Sequence, residues 1–262
     1  MPIPKGTRTT YIVENMSNLV NNYNYSEKDY VKDYNRFMLE GNHLFELHNN
    51  TFEEMLNDRV FSEELRRILI KFGLDARASR LMPLQSIQNT ISYCAPEFDQ
   101  LRTANILLQN LNLSHEENGR SIYSIIRSIF DIFSEPNRIT QSGGFVAASK
   151  TMHFIMPQLF IILDGQHIAI SLYNISDYYP HQKDGGDWGE IIPQYSGLTP
   201  NPSPRGGGRE NWDAERYIIA LMYYKRIVLE WIQRNHSNIE GFLEIDSENL
   251  SKASRIIDKS MW

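Results

Sequence analysis

A lysine and an aspartate stand nearly alone in the most apolar stretch of this chain. From Gly143 to His167 the sequence runs GGFVAASKTMHFIMPQLFIILDGQH, and only Lys150, His153 and Asp164 carry ionisable side chains before the closing histidine. Burying an ammonium or a carboxylate costs free energy unless it is paired or its pKa moves. A lysine becomes a nucleophile when its amine is neutral, and burial and the positive end of a helix dipole both favour that state. The pattern predicts a helix over 145–155, with Lys150 in its early turns among Phe145, Val146, Met152, Phe154 and Ile155. Pro157 ends that helix, 158–163 reads as a short buried strand or a helical turn, and Asp164 is placed to N-cap a helix over about 165–173. An amine attacking C1′ of a nucleotide, with a carboxylate stabilising the oxocarbenium-like state, releases a base and leaves a Schiff base. The purely structural alternatives are a lysine snorkelling from a helix end, an aspartate that only caps its helix, or an ion pair between the two.

The neighbours of this pair supply candidate substrate contacts. Ser142-Gly143-Gly144 permits close backbone approach, and a helix start with exposed amides is a natural phosphate seat. Ser149 adjoins Lys150, and His153 shares its helix face three residues on, placed either to contact a base or to sit as a satisfied core histidine. Arg205 and Arg209 flank three glycines, a phosphate grip without the Lys-Ser/Thr of a P-loop. Tyr178, Trp188 and Tyr195 precede them in the same loop and can stack on bases or serve a protein interface. His153, His167 and His181 have no metal-ligand spacing, and Asp184, Asp187 and Glu190 lack that of an EF-hand, so no metal site is expected. Arg66, Arg67, Lys71, Arg77 and Arg80 form the densest basic stretch, either a backbone-binding face or an ordinary solvated one.

A Gly-containing turn, a lysine-bearing helix and an apolar run ending in Asp at a helix start resemble the helix-hairpin-helix DNA glycosylase superfamily. The branch suggested is that of the 8-oxoguanine DNA glycosylases and their microbial relatives. The matching stretch is SKTMHFIMPQLFIILDGQHI, and the C-terminal ASRIIDKSMW resembles a segment of those relatives in which an Arg, an Asp and a Trp recur. The resemblance implies Lys150 as Schiff-base nucleophile and Asp164 as catalytic carboxylate. It implies N-glycosidic cleavage with lyase chemistry, DNA or a nucleotide as partner, and no cofactor. The competing class is a non-catalytic helical module that binds nucleic acid or protein, for example in a defence or mobile-element system, with residues 176–210 as its contact surface. A third reading is an N-glycosidase acting on a free nucleotide.

The elements around these residues are predicted to be helical throughout. The chain has 262 residues, 41% apolar and 22% charged, ordinary for a globular protein with a substantial core. A net charge of −6 argues against non-specific coating of nucleic acid while leaving room for a local basic groove. Cys94 is the only cysteine, which forbids an intrachain disulfide, speaks against a Cys-based zinc site and fits a cytoplasmic protein; it reads as a small buried hydrophobe. No apolar run approaches the roughly 18–20 residues of a membrane span, and the N-terminus lacks a signal-peptide core. Residues 1–25 read as an irregular polar arm, 26–140 as an N-terminal helical region, and 141–262 as a helical region carrying the Lys–Asp motif. Within the last, 176–210 is a long Pro- and Gly-rich loop. Helix starts are expected at Ser26, Thr51 and Ser62, with Gly73 as a stop. Helices are expected over 84–94 and 97–111, separated at Pro96, then over 121–133 and 212–234, with a last one from about Ser247. The fold class is all-α, resembling the helix-hairpin-helix glycosylase fold.

Overall fold

The computed structural model describes residues 8–75, 80–163, 212–247 and 249–261. Among them the chain is almost wholly helical: α1 (Arg8–Ser26), α2 (Lys28–Leu47), α3 (Phe52–Asn57), α4 (Arg59–Lys71), α5 (Leu84–Thr103), α6 (Ile122–Ser134), α7 (Phe145–Ile155), α8 (Trp212–Arg234), α9 (Ile239–Leu243) and α10 (Ala253–Met261). Strand pairing is limited to a hairpin of β1 (Glu116–Glu117) with β2 (Arg120–Ser121), in register Glu117↔Arg120. Asn118 and Gly119 turn it with φ of 52° and 76°, the left-handed pair that a two-residue hairpin demands. The all-α expectation holds at this level. No described helix is long and apolar enough to cross a membrane. The apolar residues form one contiguous core from Ile12 to Met261.

Several predicted boundaries are corrected. From Arg8 on, the N-terminal arm is helical rather than irregular: Ile12, Val13, Met16, Val20 and Tyr23 recur at helical spacing and bury one face of α1. Ser26 closes α1 rather than opening α2, its hydroxyl donating to Tyr23 O at 3.2 Å. Thr51 does precede α3 but makes no side-chain cap. Helix α4 starts earlier than Ser62, capped by Asp58, which accepts the Val60 N–H at 2.7 Å. Gly73, at φ +82°, follows its end as expected. The two helices expected around Pro96 are one, because Pro96 faces solvent while Ile91, Cys94, Ala95, Phe98 and Leu101 keep a single buried stripe running through it. Packing of that stripe outweighs the hydrogen bond the proline forgoes. The last helix begins at Ala253 rather than near Ser247.

Helix α6 is the pillar of the arrangement. Ile122, Ile125, Ile126, Ile129, Phe130 and Phe133 are all buried, and Ser121 caps it by accepting the Ser124 N–H at 3.2 Å. It packs against α5, α7 and α8, while α10 lies against α1 and α8. Helix α7, buried on every side from Ala147 to Ile155, crosses the centre, and α4 packs beside it.

Candidate functional site

The turn from α6 to α7 is set by its glycines. Gly143 (φ +66°) lies so close to the end of α6 that a Cβ there would collide with Ser134 O and come within 2.7 Å of Glu135 C and Pro136 N. Gly144 (φ +110°) caps α7, and its N–H donates to Ser134 O at 2.8 Å. The turn therefore joins two packed helices closely, and Gly143, Gly144, Phe145 and Val146 are only partly buried.

Lys150 occupies the middle of α7 and is 7% exposed. Its Nζ donates to Phe72 O at 2.7 Å, at the C-cap of α4. His153 is fully buried, with Nδ1 2.8 Å from Phe160 O, so that nitrogen carries the hydrogen. Burial pushes the imidazole down to about 3, so it is neutral at ordinary pH. Ser149 is also fully buried.

The apolar run after α7 is neither helix nor paired strand: a turn at 157–159 leads into irregular chain. Its main-chain groups, which a buried segment cannot leave unpaired, are met largely by side chains. Ser254 donates to Pro157 O at 2.6 Å, and the Leu108 N–H to Gln158 O at 3.0 Å. His153 takes Phe160 O. The Tyr217 hydroxyl donates to Ile161 O at 3.1 Å and accepts the Ile161 N–H at 3.2 Å. Ser149 Oγ accepts the Leu163 N–H at 3.2 Å and lies 3.3 Å from Leu163 O. Leu163 directly precedes Asp164, and Ser149 directly precedes Lys150. The segment that leads to the aspartate is thus fastened to the helix that carries the lysine.

Helix α10 supplies a buried charged cluster behind that segment. Arg255 donates to Tyr23 Oη at 2.6 Å, lies 5.5 Å from the Phe72 ring and pairs with Asp258 at 3.9 Å. The Arg255–Asp258 pairing expected from their i, i+3 spacing is therefore present. Asp258 also accepts the Tyr224 hydroxyl at 2.9 Å. Burial lifts its carboxyl to about 7, against the downward pull of Arg255, the Tyr224 hydroxyl and the Ile162 main chain. Lys259 binds Asp246 at 2.5 Å, and burial brings its amine down to about 8 despite that partner. Tyr34 Oη, His153 Nε2, Arg255 Nε and Asp258 Oδ2 are buried around this cluster without hydrogen bonds.

Of the predicted site residues, Lys150, Ser149 and His153 are brought together on α7, and Gly143 and Gly144 sit at its start. Asp164, Arg205, Arg209 and the loop 176–210 lie outside the described residues. Ser149 and His153 face the protein's own main chain rather than an open surface. Two of the four described residues of the basic stretch have acidic neighbours: Arg67 pairs with Glu64 and Lys71 lies 3.8 Å from Asp33, as on a solvated helix face. Cys94 is buried and its thiol is pushed up to about 12 by that burial. No group of three or more metal-ligating side chains is found among the described residues. Sequence reasoning missed the ties made by Ser254 and Tyr217. The i, i+4 pairs Ser254/Asp258 and Arg255/Lys259 in SRIIDKS were the available signal, four of the five polar side chains on a helix buried along its length. No protein family, curated protein or solved structure matches the chain.

Proposed function

We propose that the chain is a lysine-dependent N-glycosidase acting on a nucleobase, with Lys150 as nucleophile and Asp164 as the carboxylate that stabilises the developing positive charge. The observation that carries this reading is the fastening of Leu163, which precedes Asp164 in the sequence, to Ser149, which precedes Lys150. The burial of Lys150 supports it, because a nucleophilic lysine must be shielded from bulk water. In the proposed step the amine first loses its extra proton. Its lone pair then forms a bond to C1′ while the C1′–N bond breaks, and the base leaves with that electron pair and takes up a proton. Opening of the sugar ring gives a Schiff base, which water hydrolyses to restore the amine. For attack, Nζ exchanges Phe72 O for C1′ by rotation of its flexible stem. The N–H groups of Gly143 and Gly144 are spent on Thr140 O and Ser134 O, so the first turn of α7 would seat a phosphate, and Arg205 and Arg209 would grip another. In this reading α6, the Gly-Gly turn and α7 are the counterpart of a helix-hairpin-helix. The negative net charge leaves a free nucleotide and a polynucleotide both open as substrate.

A second reading is favoured by one contact. Lys150 donating to Phe72 O is a helix C-cap, the role a structural lysine would play in a non-catalytic module that binds nucleic acid or protein. Borohydride trapping separates the two. The protein is incubated with abasic and 8-oxoguanine duplexes, single strands and a nucleoside monophosphate, then reduced. The glycosidase reading expects a covalent adduct that Lys150→Gln abolishes; no adduct with any of them leaves the module reading.

A further inference from the structure

A pocket opens beyond the C-terminal end of α7, and Lys150 does not line it. Its volume is about 430 Å³, at the small end of the range for ligand sites. Aromatic and thioether side chains from α2, α3 and α4 make its walls, among them Phe45, Phe52 and Met55. Arg102, in the last turn of α5, lies across two of them, with Cζ 4.1 Å from the Phe45 ring centre and 4.9 Å from that of Phe52. Its guanidinium is half-buried, and no hydrogen bond or ion pair to the described residues ends on it. A guanidinium packed on aromatic faces with its N–H fork unspent is a receptor for a planar or tetrahedral anion. Lys252 adds a second cation, side-chain amides such as Gln158 add further polar groups, and no Asp or Glu lines the pocket although the chain as a whole is acidic.

We infer that this pocket binds a small amphiphilic anion, a carboxylate or phosphate monoester on an apolar body, with the head on Arg102 and the body against Phe45 and Phe52. Gly41 provides a way to test the pocket without cutting into the core. It lies on α2, lines the cavity, and a Cβ built on it meets nothing within 4 Å. Gly41→Leu therefore fills the cavity on a helix that gains from losing a glycine. Calorimetric titration of the full chain with octanoate, octyl phosphate and neutral octanol reads the site. The expected result is saturable binding of at least one anion, about tenfold or more tighter than octanol, with the tighter head identifying carboxylate or phosphate. Arg102→Met, which keeps an apolar stem over the rings, should lose that preference, and Gly41→Leu should lose binding altogether while unfolding at or above the wild-type temperature. Equal affinity for octanol, no anion binding, undiminished binding by Arg102→Met, or undiminished binding by Gly41→Leu would each overturn the assignment.

Discussion

Replacing Asp258 by Asn tests whether the cluster behind the Leu163 segment is held as described. The carboxyl is fully buried and lifted from 3.8 to about 7. In that window the folded protein holds a proton on Asp258 that the unfolded chain has released, so this group's contribution to wild-type stability falls as pH rises from about 4 to 7. A shift of roughly 3 units at 1.36 kcal/mol each gives about 4 kcal/mol. Asn is neutral throughout and keeps an oxygen to accept the Tyr224 hydroxyl. The stability of Asp258→Asn relative to wild type should therefore rise by about 4 kcal/mol between pH 4 and pH 7, on top of a constant offset from the lost pairing with Arg255. The comparison must be a difference. His153, depressed from 6.5 to about 3, contributes with the opposite sign, gaining stability as pH rises through 3 to 6.5, and masks the aspartate in the wild-type curve alone. Urea unfolding followed by circular dichroism at pH 4, 5, 6 and 7 gives both curves. A difference that is flat or falls with pH would refute the claim that burial outweighs the pull of Arg255 on Asp258.

Four further substitutions probe the lysine and the elements that position it. Gly143→Ala should destabilise the protein by about 2–3 kcal/mol in urea unfolding, because its Cβ meets α6 backbone at a positive φ; Gly144→Ala, with open space around it, should cost less. Tyr217→Phe strands both main-chain groups of Ile161 and should cost about 1–3 kcal/mol, with faster hydrogen exchange at the Ile161 amide. Lys150→Met leaves Phe72 O without this donor and should also cost about 1–3 kcal/mol, read as a lower unfolding midpoint.

The sequence made α6 and α7 legible because each is announced by local signals: a six-residue apolar stripe after a Ser cap for one, a Gly-Gly entry and a Pro exit for the other. Helix α1 escaped notice because asparagines between Ile12, Val13, Met16, Val20 and Tyr23 dilute an otherwise regular period. Pro96 misled because a proline on the solvent side of a helix interrupts one hydrogen bond and none of the packing. The isolation of Lys150 in apolar surroundings was readable; its acceptor at Phe72, 78 residues earlier, was not. The same holds for the segment before Asp164. Its partners Tyr217 and Ser254 come from 56 and 97 residues away, and no local pattern specifies such pairings. Their need was nevertheless implied, since an apolar run that is neither helix nor sheet must find its hydrogen bonds somewhere.

The most direct test of the central claim is mass spectrometry of the borohydride-reduced adduct after proteolysis. The account predicts a sugar remnant on the peptide carrying Lys150, lost in Lys150→Gln and strongly diminished in Asp164→Asn. An adduct on any other lysine, or none across duplex, single-strand and nucleotide substrates, would contradict it and leave Lys150 as the cap of α4.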